Sequence, residues 1–189
     1  MPKPVAVLDA NVLYPAPLRD LLVSLAAEGA FAARWTEAIH AEWIENLLEH
    51  QPRHERARLE RTRDLMNRAV RDCLVTGYEP LIPTLSLPDV DDRHVLAAAI
   101  RAGAEFIVTF NLRDFPAASL VPYNVEARHP DDFVLELLEQ DVMLACRAVR
   151  VQRARLKNPP HSVAELLQVL EAQGLAQTVA RLRRYGDIL

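Results

Sequence analysis

The stretch VAVLDANVLYP, residues 5–15, drives an unbroken apolar run straight into Asp9, with Asn11 two positions further on. A short continuous apolar run is the pattern of a strand covered on both faces, as in a parallel sheet. Asp9 then stands at the carboxyl end of that strand, where a carboxylate has few structural excuses. In open α/β sheets the binding crevice lies beyond the carboxyl ends of the strands, so the position is that of a functional group.

Working outward, Leu18, Leu21, Leu22, Leu25 and Ala26 fall at helical spacing over residues 18–29, and Gly29 is placed to end the helix in a left-handed turn. FAARW (31–35) reads as a second strand. From the N-cap Thr36, TEAIHAEWIENLLEH reads as a helix with a stripe of Ile39, Trp43, Ile44, Leu47 and Leu48, closed by Pro52. Residues 53–73 predict a charge-rich helix with a thin apolar stripe of Leu59, Thr62, Met66, Ala69 and Cys73. A proline-punctuated loop spans 78–92, a helix that opens on acids and closes on Gly103 spans 91–103, and FIVTF (106–110) is another buried strand. Alternating strands and helices predict an α/β class domain, a mainly parallel β-sheet flanked by helices.

After residue 129 the pattern is helical only. Pro130 suits a first helical position, and residues 131–156 predict one long amphipathic helix broken by NPP. Ser162 and Glu165 form a capping box for the next helix. Gly174 precedes a last helix through Arg184 that Gly186 terminates. The division expected is therefore an α/β domain over 1–129 and a helical C-terminal extension over 130–189.

The 189 residues are enough for a sizeable core, and no apolar run approaches the ~20 residues of a membrane helix. A soluble, cytoplasmic protein is expected, with no membrane partner. Cys73 and Cys146 lack metal-ligand or CxxC spacing and read as packed, reduced thiols. A net charge of -4 and a pI near 5.9 lack the basic balance that advertises nucleic-acid binding. The basic residues are almost all arginine: the lysines are Lys3 and Lys157.

Placing the strands gathers acids at one edge: Asp9, Asp114 just past FIVTF, Asp91 and Asp92 at the amino end of the 91–103 helix, and Glu42 at the border of an apolar stripe. Converging carboxylates repel one another and raise each other's pKa values unless a divalent cation holds them. Oxygen ligands without Cys or His clusters suit Mg²⁺ or Mn²⁺ rather than zinc. Such a metal lowers the pKa of a bound water and stabilises charge on phosphoryl oxygens. Asn11 and Asn111 can add neutral ligands or hold water. His40 falls inside an apolar stripe and reads as a core histidine, whereas His94 lies nearer the acids. The arginines between 53 and 71 read as a solvated face.

VLDANVL, the acid in EAIHAEWIENL, PDVDDRHVLAAA and AGAEFIVTFNLRDFP together resemble the four ordered motifs of the PIN-domain family over residues 5–116. The later helical part resembles the C-terminal extension of a VapC-type toxin subgroup. The resemblance implies a PIN-like α/β/α sandwich and a Mg²⁺- or Mn²⁺-dependent ribonuclease. It also implies the toxin half of a toxin-antitoxin pair, inhibited by a VapB-like antitoxin, with a homodimer favoured. Residue by residue, it assigns catalytic and metal-binding roles to Asp9, Glu42 and Asp92; counting back from Gly103 favours Asp92 over Asp91. The family's fourth acid often stands two residues after the strand-ending threonine, where this chain has Asn111, and Asp114 is then the nearest carboxylate. That departure leaves one tightly held ion, with a second recruited by substrate, as the expectation. Asn11, Asn111 and Arg93 are the candidates for contacting RNA.

Two rivals remain. A haloacid-dehalogenase-type phosphotransferase also starts with a strand-terminal Asp, but wants a second acid two residues later and a crevice lysine. Here Asn11 takes the first place, and no lysine lies between residues 4 and 156. The other rival is a catalytically silent PIN-like module that binds RNA or protein.

Overall fold

The computed structural model describes residues 3–51 and 53–189. Strand β1 (Val5–Leu8) runs into a single helical turn, α1 (Ala10–Leu13), followed by α2 (Ala16–Glu28), β2 (Ala32–Arg34), α3 (Glu37–His50) and α4 (Arg56–Ala69). Then come α5 (Arg93–Ala102), β3 (Phe106–Val108), α6 (Ala117–Leu120) and β4 (Glu126–Arg128). Four further helices close the chain: α7 (Pro130–Gln140), α8 (Val142–Arg155), α9 (Val163–Ala172) and α10 (Ala176–Leu182).

The strands pair in the order β2-β1-β3-β4, all parallel. Val7 sits opposite Arg34 on one side and Ile107 on the other. Successive strand residues point to opposite faces, yet Ala6, Val7 and Leu8 are all fully buried, so both faces of the sheet are covered. This is the doubly covered parallel strand read from the VAVL run, in the α/β/α arrangement that the family resemblance implies. The chain leaves β1 for β2 on one flank and then crosses to β3 on the other. The switch in strand order therefore falls between β1 and β3, and the crevice beyond their carboxyl ends opens there.

Several local signals act as the sequence reads. The Thr36 hydroxyl accepts from the Ile39 amide at 3.0 Å and starts α3. Gly29 and Gly103, at φ 88° and 60°, end α2 and α5 in the left-handed region that only glycine enters cheaply. Ser162 and Glu165 form the capping box of α9 in both directions. Cys73 and Cys146 are buried and unpaired. The stop expected at Pro52 lies outside the described residues. Among those residues, no helix is long and apolar enough to cross a membrane.

Other expectations are corrected. The single helix predicted over 131–156 is two, because Asp141 leaves helical geometry (φ -147°, ψ 90°) and its carboxylate caps the Leu144 amide at 2.9 Å. The apolar period continues across the break, so only the cap marks it. The 53–73 helix is shorter, Arg56–Ala69: Val70 is extended, Asp72 has φ 54°, and Leu74 pairs with Trp35 in a parallel bridge that draws the chain back to the sheet. The 78–92 loop contains a 3-10 turn over Glu79–Thr84, and α10 passes at Leu182 into another, Arg183–Ile188, that includes Gly186. Strand β4 had no sequence signal, since an edge strand such as Glu-Ala-Arg needs no apolar run.

The C-terminal helices pack on the sheet and on α2. Phe133 of α7 meets Phe31 edge-on at 5.0 Å and Phe106 at 5.8 Å. Buried Asp131 accepts from the amides of Gln177 (2.9 Å) and Thr178 (2.8 Å), so a carboxylate of α7 caps the start of α10.

Candidate active site

Asp9 is only 3% exposed and sits where β1 gives way to α1. Its Oδ1 accepts from the Ala10 amide at 2.7 Å, and its Oδ2 accepts from the Asn11 amide nitrogen and the Thr109 hydroxyl, each at 2.7 Å. Asn11 also donates to Thr109 Oγ1 at 2.8 Å and accepts from the Phe110 amide at 3.1 Å. The turn after β1 is thereby stitched to the loop after β3. Both amide protons of Asn11 are used inside the chain, so its work is to position the acid, leaving little for a direct substrate contact. Burial pushes the Asp9 carboxyl up to about 6, helped by the charge of Glu42 and opposed by the Thr109 and Ala10 hydrogen bonds and by His94.

Asp92 is the N-cap residue of α5, but its side chain makes no capping bond. Its carboxyl is pushed up to about 7, first by burial and then by the charges of Asp9, Asp89, Asp114 and Glu42. Asp91 is exposed beside it, with its amide on Asp89 Oδ1 at 2.9 Å. Glu42 of α3 reaches from the opposite wall, 3.5 Å from His94 Nε2. Asp9, Asp92 and Glu42 line a cleft of about 330 Å³ together with Asn11, Asn111, Tyr14, Asn46 and His50. Asp114 is not on its wall: it is half-buried in the turn after β3, its amide on the Asn111 carbonyl at 3.1 Å, and it acts on Asp92 through its charge. Arg93 also lies off the wall, half-buried.

Asn46 and His50 on the wall, and three supporting residues, escaped the reading of the sequence as site components. Thr109 served there only as a landmark for counting. Tyr14 carries no signal beyond its closeness to Asn11. Arg19 sits in an ordinary amphipathic stretch, yet it is buried, donates to the carbonyls of Leu13 (2.6 Å) and Tyr14 (3.3 Å), and lies 4.6 Å over the Trp43 ring. Burial draws its guanidinium down to about 10. It joins the end of α1 to α3, the helix that carries Glu42. His40 is the core histidine expected: Trp43 Nε1 donates to its Nδ1 at 3.0 Å, and its Nε2 faces Asn67 Oδ1 at 3.0 Å. Asn67 Oδ1 already accepts from Trp35, which places the proton on His40 Nε2. In the arginine-rich α4, Arg56 pairs with Glu45 at 2.7 Å and Arg63 with Asp64 at 2.9 Å, on a solvated face.

The acids and amides of the cleft are oxygen donors, suited to a hard divalent cation, with His50 adding an imidazole to the wall. The charge of Asp9 raises the proton affinity of Asp92, and that of Glu42 raises both, which is the electrostatic demand a cation meets. Among the described residues no three acid, His or Cys side chains close around one point. The acids share a cleft and an electric field, and the site fits a metal in chemistry and charge.

Residues 130–184 match the family model described as the VapC50 C-terminal domain. Over 108 residues the chain is 40% identical to a Mycobacterium tuberculosis protein named "Putative ribonuclease VapC50". That alignment covers 57% of this chain and 63% of the relative. No solved structure matches the chain. The PIN domain model matches residues 5–113, which include β1, the cleft acids Asp9, Glu42 and Asp92, and the loop after β3, and the chain belongs to the PIN-domain family.

Proposed function

We propose that the chain is a divalent-metal-dependent ribonuclease that hydrolyses RNA phosphodiester bonds, and the toxin of a VapBC-type toxin-antitoxin pair. The observation that carries this reading is the meeting of Asp9 and Asp92 in one cleft, both raised first by burial and then by neighbouring charge, Glu42 acting on both and Asp9 on Asp92. Family membership and the name of the Mycobacterium relative support it.

Asp9 and Asp92 would hold Mg²⁺ or Mn²⁺, with Glu42 and Asn111 completing the oxygen set from the cleft wall and Asp114, placed off that wall, adding its charge. When bound, the metal lowers the pKa of a water and stabilises charge on the phosphoryl oxygens. A Glu42 carboxylate oxygen is the acceptor for a proton of the attacking water, and His94 keeps that side chain turned toward α5. Thr109 and Asn11 hold Asp9 in one rotamer, so its oxygens need no rearrangement at the moment of reaction. Asn111, exposed at the cleft, would contact the RNA backbone, with Arg93, next after Asp92 at the start of α5, as the second candidate. The family resemblance points to a 5′-phosphate on the downstream product.

In the same reading, residues 1–129 form the catalytic domain and 130–189 the helical extension. The protein works in the cytoplasm as a homodimer held in check by a VapB-like antitoxin. The deciding experiment is cleavage of mixed RNA with Mg²⁺, Mn²⁺ or EDTA, beside Asp9→Asn and Asp92→Asn. Metal-dependent cutting that both substitutions abolish supports the nuclease; no cutting, with no stabilisation of the fold by Mn²⁺, leaves the silent PIN-like module.

A further inference from the structure

Away from the acidic cleft, α2, α4, α8 and α9 enclose a cavity of about 590 Å³. Val23, Leu65, Met66, Leu156, Leu166 and Val169 give it a mostly apolar wall. Cavities of about 300–1,000 Å³ with apolar walls and a few placed polar groups are the usual form of small-molecule sites. This one lies on the seam between the segment matched by the PIN domain model and the segment matched by the C-terminal model. Leu65 on its wall is 53% exposed, so the cavity opens to solvent.

Its polar groups separate it from a packing fault. Gln152 of α8 is 1% exposed and lines the cavity. Its Nε2 donates to the Pro17 carbonyl at 2.9 Å, which fixes the orientation of the amide. Its Oε1 is left buried, with no partner among the described residues. Nδ1 of His161, on the same wall, is also buried and unpartnered. A buried acceptor in that state destabilises the fold unless something donates to it. The charged groups on the wall are already engaged: Arg155 pairs with Asp20 at 3.4 Å, and Arg19 turns its guanidinium to the Leu13 and Tyr14 carbonyls. The cavity therefore calls for no net charge in its occupant. It calls for an apolar body and, at Gln152 Oε1, a donor.

We propose that this cavity is a binding site for a small, neutral, predominantly apolar molecule that donates a hydrogen bond to Gln152 Oε1. Such an occupant bridges α2 and α4 to α8 and α9, and so fastens the C-terminal helices to the rest of the chain. The proposal does not rest on the nuclease reading: none of the cavity's residues lines the acidic cleft, and Arg19, which supports that cleft from this wall, is left unchanged in the test.

The test uses the full chain and two probes of similar bicyclic size, indole, which has an N–H, and benzothiophene, which has none. Indole is expected to shift the methyl resonances of Val23, Leu166 and Val169 saturably and to raise the melting temperature. Benzothiophene is expected to bind about three- to tenfold more weakly, the worth of one neutral hydrogen bond. Gln152→Leu should bring the two affinities together, and Ala69→Trp, at an exposed wall position, should block both probes. The proposal is overturned by an absence of saturable shifts at those methyls, by equal affinities in the unmodified protein, or by indole binding that survives Ala69→Trp. Should Gln152→Leu fail to fold, the two-probe comparison and Ala69→Trp decide alone.

Discussion

Asp9 Oδ2 accepts a 2.7 Å hydrogen bond from the hydroxyl of Thr109, a residue one hundred positions later in the chain. That bond closes the gap between the carboxyl ends of β1 and β3, where the strand order switches. Thr109 Oγ1 also accepts from Asn11 Nδ2 and, at 3.0 Å, from the Asn111 amide. A single buried hydroxyl thus organises three of the cleft's polar residues.

Thr109→Val keeps the volume and removes that hydroxyl. Two donors lose an acceptor and Asp9 loses a donor, so a stability loss of about 1–3 kcal/mol is expected, measured by chemical denaturation. Among the influences on Asp9, the Thr109 bond is the one that lowers its pKa most, so the carboxyl should titrate above about 6 in the variant. Thr109→Ser should restore most of both. An unchanged Asp9 titration by NMR would mean that Asn11 alone holds the acid.

Asp9→Asn should cost activity and yet gain stability at alkaline pH. The folded-state pKa, about 6, stands above the ordinary 3.8, so the folded protein binds this proton more tightly than the unfolded chain. The unmodified protein therefore loses stability as pH rises through the interval from about 4 to 6, by up to about 3 kcal/mol from this group. Asparagine carries no charge to bury, but its amide nitrogen meets the Asn11 donor, which offsets part of the gain. The expected result is a higher melting temperature for Asp9→Asn at pH 8 and a difference that shrinks toward pH 4. A variant less stable at pH 8 would show that the hydrogen bonds outweigh the burial of charge.

How much of this was legible follows from the type of signal each residue carries. Val5–Leu8 announced a doubly covered strand, and Asp9 and Glu42 could be placed from a strand end and a helical face, with Asp92 chosen over Asp91 through the family resemblance; all three line the cleft. Asp114 was inferred from distance along the chain, and the turn at Asn111 carries it off the wall. Thr109, Tyr14 and Arg19 were opaque because their roles depend on contacts between segments that no local period encodes. Strand β4 and the break at Asp141 failed for a related reason: an edge strand needs no apolar run, and a cap within a continuing apolar period changes the path but not the pattern.

The acids outside the cleft divide into two unequal cases. Asp131 is buried and receives two amides of α10, so Asp131→Ala leaves both without a partner and should cost about 2–4 kcal/mol. Asp141 is exposed and caps only Leu144, so Asp141→Ala should cost about 1 kcal/mol. Thermal unfolding of the two variants reads the order directly. Equal losses would contradict the docking of α10 on α7 through Asp131.

Metal binding can be read without any RNA. A ligand that binds only the folded state stabilises it by about 2.7 kcal/mol at a hundred times its dissociation constant, so Mn²⁺ should raise the melting temperature of the unmodified protein. Asp92→Asn removes one proposed ligand and should abolish most of that rise, whereas Asp91→Asn, at the exposed neighbouring position, should leave it intact. Protons compete for the same oxygens, and Asp9 and Asp92 stand near 6 and 7. The Mn²⁺ effect should therefore be small at pH 5.5 and grow toward pH 8, as both carboxylates ionise. Dependence on Asp91 in place of Asp92 would move the ligand one residue toward the loop. A rise that is flat with pH, or equal in all three proteins, would place the ion outside the cleft.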